Sequence, residues 1–238
     1  MVLRILAFSS SRAGDGTYLQ TAAPVIKEFL GAAPLSVAFI PFASVDYDYE
    51  VYADKVREGL AGMPHTIKVA SPATAKQVIG ASDVIMVGGG NTFKLLHDLY
   101  SLEVFGVIKH KVENGTPYIG WSAGSNIAGL TIGTTNDMPV IQPQSFKALG
   151  FLPFQINPHY YNVVTKGFNG ETRDQRLEEF LKMNTDSKIV CLPEGTALQR
   201  KGNKLLFMGL SAGVLLTREN EKLSRTEIQP GTELTFLL

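Results

Sequence analysis

Short apolar runs alternate with longer amphipathic stretches through the first two-thirds of the chain. Residues 2–8, 35–42, 66–70, 83–87 and 118–121 are rich in apolar and β-branched side chains and read as strands. Between them, helical patterns cover residues 17–30, 47–60, 73–79, 93–100 and 104–112. In the first of these, Leu19, Ala23, Ile26 and Leu30 recur at helical spacing. The strand runs are continuous in polarity rather than alternating, which predicts that both of their faces are covered. Strands alternating with helices then imply a largely parallel sheet with helices on both faces, joined by right-handed crossovers.

The C-terminal part has a different rhythm. Residues 196–200 and 204–208 flank Lys201-Gly202-Asn203, a hairpin signal. Residues 214–217 and 233–238 add strand-like pieces around the Pro230-Gly231 turn. This predicts an antiparallel extension of the main sheet. With no repeat, linker or low-complexity segment, a single α/β domain over residues 1–238 is expected.

Composition narrows the functional classes. Apolar residues make up 45% and charged residues 18% of the 238 positions, as in an ordinary globular protein. Lys plus Arg and Asp plus Glu balance at 22 each, which leaves no basic field for nucleic acid or an anionic membrane. The single cysteine, Cys191, lies in an apolar run and reads as a buried strand residue. The first apolar run is too short for a secretory leader, and none approaches a membrane span. A cytoplasmic protein, monomeric or homodimeric, is the expectation.

Three strand ends are followed at once by small or polar residues: Gly88-Gly89-Gly90-Asn91-Thr92, Gly120-Trp121-Ser122-Ala123-Gly124, and Leu192-Pro193-Glu194-Gly195. In open α/β sheets, ligands bind beyond the carboxyl ends of the strands. The second run has the G-x-S-x-G form of a nucleophile elbow, in which flanking glycines permit a tight turn that lifts the serine above the sheet. Such a motif is also common as a plain turn, so its weight comes from the strand before it and the helix after it. Ser122 is the candidate nucleophile, with the Ala123 N–H facing a developing oxyanion.

A serine needs a base, and His159, after the strand-like 154–156 and Asn157-Pro158, is the best placed of the four histidines. The acid that fixes its tautomer is Glu194 or Asp137. Position favours Glu194, and either could instead cap a turn. The glycine run lacks a P-loop Lys-Ser/Thr, so Gly90 is read as a second oxyanion donor rather than a phosphate cradle.

GGGNTF (88–93), YIGWSAG (118–124), TTNDMP (134–139), INPHY (156–160), GETRDQR (170–176) and LPEG (192–195), in this order, resemble the peptidase E family of α-aspartyl dipeptidases. The resemblance covers most of the chain as far as Gly195 and is weaker beyond Thr196. Ser125 departs from the small apolar residue expected there. The resemblance implies a flavodoxin-like fold related to class I glutamine amidotransferases. It also implies cofactor-free and metal-free serine hydrolysis of dipeptides, and some longer peptides, with an N-terminal aspartate. Ser122 and His159 match its nucleophile and base. Both Asp137 and Glu194 match positions argued to hold its acid, so that choice stays open. Arg173 matches the arginine that reads the substrate aspartate, a task suited to a guanidinium fork. The alternative for Arg173 and Arg176 is pairing with Asp174, Glu178 and Glu179 along a solvated helix. Two rival functions share the scaffold: a cyanophycinase-like β-aspartyl peptidase, and a non-catalytic metabolite-binding domain.

Overall fold

The structure is a computed structural model that describes residues 2–46, 48–163, 166–167 and 169–238. Its main sheet has seven strands: β1 (Arg4–Phe8), β2 (Ser36–Ile40), β3 (Thr66–Val69), β4 (Val84–Val87), β5 (Tyr118–Trp121), β8 (Thr196–Lys201) and β9 (Lys204–Gly209). They lie in the order β3-β2-β4-β5-β1-β8-β9. The five from β3 to β1 are parallel, and β8 and β9 run antiparallel at one edge.

Alternate residues of the parallel strands feed opposite cores, as the period of a strand requires. Leu6, Phe8, Val37, Phe39, Met86, Ile119 and Trp121 pack under α1 (Ala23–Leu30) and α2 (Tyr49–Gly59). Ile5, Ala7, Ala38, Ile40, Ile85, Val87 and Tyr118 face α3 (Ala75–Ala81), α4 (Thr92–Ser101) and α5 (Phe105–Glu113). Full burial of each large side chain contributes roughly 1.5–3 kcal/mol before the cost of ordering it. The predicted cover on both faces is present. Four helices, α1, α2, α3 and α5, start later than their patterns suggest, and the first two show why. α1 begins at Ala23 because Leu19 turns through φ 57° and Pro24 sits in the first helical turn. The expected start of α2 at Tyr47 lies outside the described residues, and Asp48 caps the helix by accepting the Val51 N–H at 3.2 Å.

The antiparallel extension differs in part from expectation. The hairpin β8–β9 does extend the main sheet. Residues 213–219, however, form β10 (Gly213–Glu219), which joins β6 (Gln155–Asn157), β7 (Ile189–Cys191) and β11 (Lys222–Ile228) in a second sheet of order β11-β10-β7-β6. Residues 233–238 form no strand but a bridge at Glu233 and a 3-10 turn. Local apolar patterning marks a strand without naming its partner, because pairing is settled by the tertiary core. One face of the second sheet shares the main core through Ile156, Val190, Leu192 and Leu215. The other packs Ile189, Cys191, Val214 and Leu216 against α7 (Arg173–Met183). Among the described residues, no helix is long and apolar enough to cross a membrane.

Candidate active site

The carboxyl ends of β1, β4, β5, β6 and β7 meet at one edge of the molecule. Ser122 ends β5 with φ 53° and ψ −115°, a conformation sparsely populated for a side-chain-bearing residue, and begins the short helix α6 (Ala123–Asn126). Its N–H lies 3.2 Å from the carbonyls of both Phe8 and Ser9, which hold the turn to β1. The flanking glycine is sterically required: a Cβ on Gly124 would lie 2.3 Å from the Val87 carbonyl oxygen. The strained strand–serine–helix turn predicted from G-x-S-x-G is therefore present. Ser125 is buried, with its hydroxyl 2.6 Å from the Phe8 carbonyl and 2.9 Å from that of Gly120. The departure from a small apolar residue thus ties α6 back to β1 and β5.

His159 follows β6 and also has a left-handed backbone, φ 50°. Its Nδ1 is 2.9 Å from Oε1 of Glu194, beyond the end of β7. Both side chains are about half exposed, 42% and 53%, so this pair adds little to stability and serves mainly to orient the imidazole. Ser122 and His159 line the same two cavities. Among the described residues they form no direct hydrogen bond, a distance that commonly closes only when substrate is bound.

Asp137 occupies a different place. Its Oδ2 accepts the Thr92 N–H at 2.7 Å, at the start of α4, and the Thr135 hydroxyl at 3.1 Å. Its contact is with a helix N-terminus, where a carboxylate is favoured, and not with His159. The two carboxylates that the sequence could not separate are therefore held by different partners.

The smaller cavity, about 260 Å³, is lined by Ser122, Ala123, Asp137, His159 and Arg173, among others. Arg173 is the first residue of α7, whose start is fixed by a capping box between Thr172 and Gln175. Among the described residues it makes no ion pair or hydrogen bond, so the solvated-helix alternative does not hold for it. Its neighbour Arg176 lies 3.9 Å from Glu171. Burial, with the Arg176 charge adding to it, presses the Arg173 guanidinium below its ordinary pKa. It is a desolvated cation facing the cavity. Asp174 is drawn off to the Tyr160 hydroxyl and to Arg225, whose Nε is 3.5 Å away.

The larger cavity, about 850 Å³, lies on the glycine-loop side and includes Arg12, Tyr18, Tyr52, Lys55, Gly90 and Trp121. Gly90 adopts φ 134°, and a Cβ there would lie 2.3 Å from the Ala43 carbonyl oxygen. The Tyr52 hydroxyl donates to the Gly89 carbonyl at 3.0 Å and fixes the loop. Among the described residues the Gly90 N–H finds no backbone carbonyl, and Ala123 N–H, at the first position of a helix, has no intrahelical partner.

One positioning residue escaped the sequence reading. Ser9, fully buried at the end of β1, donates its hydroxyl to the Leu192 carbonyl at 2.7 Å and accepts the His159 N–H at 2.9 Å. It carries the same signal as the other strand ends: polar residues, Ser9-Ser10-Ser11, directly after an apolar strand.

A serine on a strained turn at the carboxyl edge of a parallel sheet, beside a histidine–carboxylate pair, defines a hydrolytic enzyme of the α/β class. The chain belongs to peptidase family S51, whose family model matches residues 5–208. It is 47% identical to a Peptidase E of Shewanella amazonensis, over all of both chains. It is 44% identical to a Peptidase E of a Nostoc species, covering all of this chain and 98% of the relative. A solved structure of a peptidase from an acI-B1 Actinobacterium shares the fold, with a TM-score of 0.70 at 18% identity, covering 98% of this chain and 97% of that one. The resemblance drawn from six short motifs thus extends over the full length.

Proposed function

We propose that this peptidase is a serine exopeptidase that hydrolyses dipeptides, and some longer peptides, bearing an N-terminal aspartate. The observation that carries the reading is the shared cavity: a nucleophile-type serine and a half-buried arginine, unpaired among the described residues, face the same small space, beside a histidine bonded to Glu194.

In this reading the substrate's side-chain carboxylate meets Arg173, and the Ser122 hydroxyl attacks the carbonyl of the aspartyl residue. His159 takes the serine proton on Nε2 while Glu194 holds the Nδ1–H. The N–H groups of Gly90 and Ala123 receive the oxyanion. Removing one such donor typically costs about 2.7–4 kcal/mol of transition-state stabilisation. Collapse of the tetrahedral adduct breaks the C–N bond, and His159 returns the proton to the leaving amine. Water, deprotonated by His159, then attacks the acyl-enzyme and releases aspartate. The larger cavity, which Ser122 also lines, has room for the leaving residue and for a short continuation of the peptide.

The test is turnover of Asp-Leu by purified wild-type, Ser122→Ala and Arg173→Ala proteins, with melting temperature followed in parallel. Loss of activity in both variants without loss of folding is expected. Near-normal turnover by Ser122→Ala would end the proposal. Faster cleavage of a β-aspartyl peptide than of Asp-Leu would move it to the β-aspartyl class.

A further inference from the structure

Lys94, in the first turn of α4, is a charged residue only 3% exposed, and it lines neither cavity beside Ser122. The reaction leaves it unused. Its Nζ lies 2.7 Å from Oδ2 of Asp98, 3.3 Å from the Tyr49 hydroxyl and 2.9 Å from the Phe42 carbonyl oxygen. Burial works against the charge, and Asp98 and Tyr49 more than offset it, holding the ammonium's pKa above its ordinary value. A buried ion pair gains little stability over apolar side chains of the same volume, so stability alone does not account for the charge. What the ammonium adds is a directed bond to one backbone carbonyl.

That carbonyl stands next to the support of the glycine loop. The following residue, Ala43, accepts the Asn91 N–H at 2.8 Å. Gly90 packs so closely on the same Ala43 carbonyl that a Cβ would lie 2.3 Å from its oxygen. Asn91 in turn accepts the backbone N–H of Lys94 on Oδ1 at 3.0 Å. Lys94, Asn91, Ala43 and Phe42 thus form a ring beside Gly90, and the bond from the ammonium to the Phe42 carbonyl closes it. We infer that Lys94 is a positioning residue for the oxyanion loop: by fixing the backbone at Phe42 and Ala43 it sets where the Gly90 N–H stands. The inference rests on the reading of Gly90 as an oxyanion donor given above. Lys94 touches no substrate and acts only through this backbone. A displaced donor weakens the transition state, where charge develops on the oxygen, more than it weakens substrate binding.

The experiment measures Asp-Leu turnover, and the rate at which a serine-reactive phosphonate labels Ser122, in wild type, Lys94→Met and Ile108→Ala. Ile108 is fully buried in α5 and shares the core with α4, so its variant loses stability without a link to Gly90. In Lys94→Met, kcat should fall about tenfold while KM stays within about twofold. Labelling should slow in step, because the phosphoryl oxygen needs the same donors. Ile108→Ala should lower the urea midpoint and leave both rates unchanged. Should Lys94→Met fail to fold, Asp98→Asn takes its place, removing the partner charge while keeping the side-chain shape. It should lower kcat and labelling by about threefold, again at constant KM. Unchanged rates in the folded variant, losses no larger than in Ile108→Ala, or a loss through KM alone would overturn the assignment and leave the serine reading standing. A wild type that neither turns over Asp-Leu nor is labelled would sink the serine reading itself.

Discussion

The Ser9 hydroxyl accepts the backbone N–H of His159 at 2.9 Å, across 150 residues of sequence. It fixes a residue whose left-handed backbone, at φ 50°, costs energy that its surroundings must offset. The Ser9 carbonyl also lies 3.2 Å from the Ser122 N–H, so one residue at the end of β1 braces both the Ser122 turn and His159.

Ser9→Ala should therefore lower kcat by about tenfold, the equivalent of one buried hydrogen bond, with KM little changed. The rate of labelling of Ser122 by a serine-reactive phosphonate should fall in step. Arg173→Ala should leave that labelling rate unchanged while raising KM for Asp-Leu. Parallel loss of labelling in both variants would show that Ser9 has no special relation to the base.

Glu194→Gln should lower kcat on the order of 10²–10⁴-fold, by analogy with removing the orienting carboxylate of a serine–histidine–acid triad. Its melting temperature should hardly move, since the His159–Glu194 pair is half exposed. Asp137→Asn should keep kcat within about threefold, because its carboxylate bonds the start of α4 and not His159. Steady-state kinetics on both variants decides between the two carboxylates.

Gly124→Ala should destabilise the protein by at least about 1–3 kcal/mol, because the added Cβ meets the backbone of β4 and neither partner can yield. Gly106→Ala is the matched control. A Cβ there meets nothing within 4 Å, so alanine in α5 should be neutral or stabilise by up to about 1 kcal/mol. Urea unfolding midpoints of the two variants measure the contrast.

His65 gives a pH signature. Among the described residues both of its ring nitrogens are buried without a hydrogen-bond partner, and burial lowers its pKa. Below the unfolded value of about 6.5 the unfolded chain binds a proton that the folded chain resists, so stability falls as pH drops. The loss is complete once the folded pKa is passed. His65→Leu should flatten the difference in urea midpoint between pH 7.5 and pH 5, and an equally steep dependence in the variant would exclude His65 as its source.

Along the main sheet, sequence and structure agree because periodicity is a local property. Continuous apolar strands and one-faced helices follow from which residues can be buried, and the helix starts that moved were shifted by a backbone detail such as the Leu19 turn. The second sheet was legible only in pieces: strand-like runs marked β6, β7 and β10, but not their pairing into one sheet, and β11 went unread. β6 and β7 each span three residues, and β11 reads as mostly polar because its side chains are largely exposed.

By itself the sequence determined the α/β class, the strained turn at Ser122 and the candidates around it, since glycine spacing and strand-end chemistry are written in adjacent residues. Only the tertiary structure separated Glu194 from Asp137, because what a carboxylate does depends on which donor lies within 3 Å, and those donors come from distant parts of the chain. It also decided that Arg173 makes no ion pair or hydrogen bond among the described residues. Its helix neighbours are equally near in sequence, but folding turned Asp174 toward Tyr160 and Arg225 and left the guanidinium facing the serine's cavity.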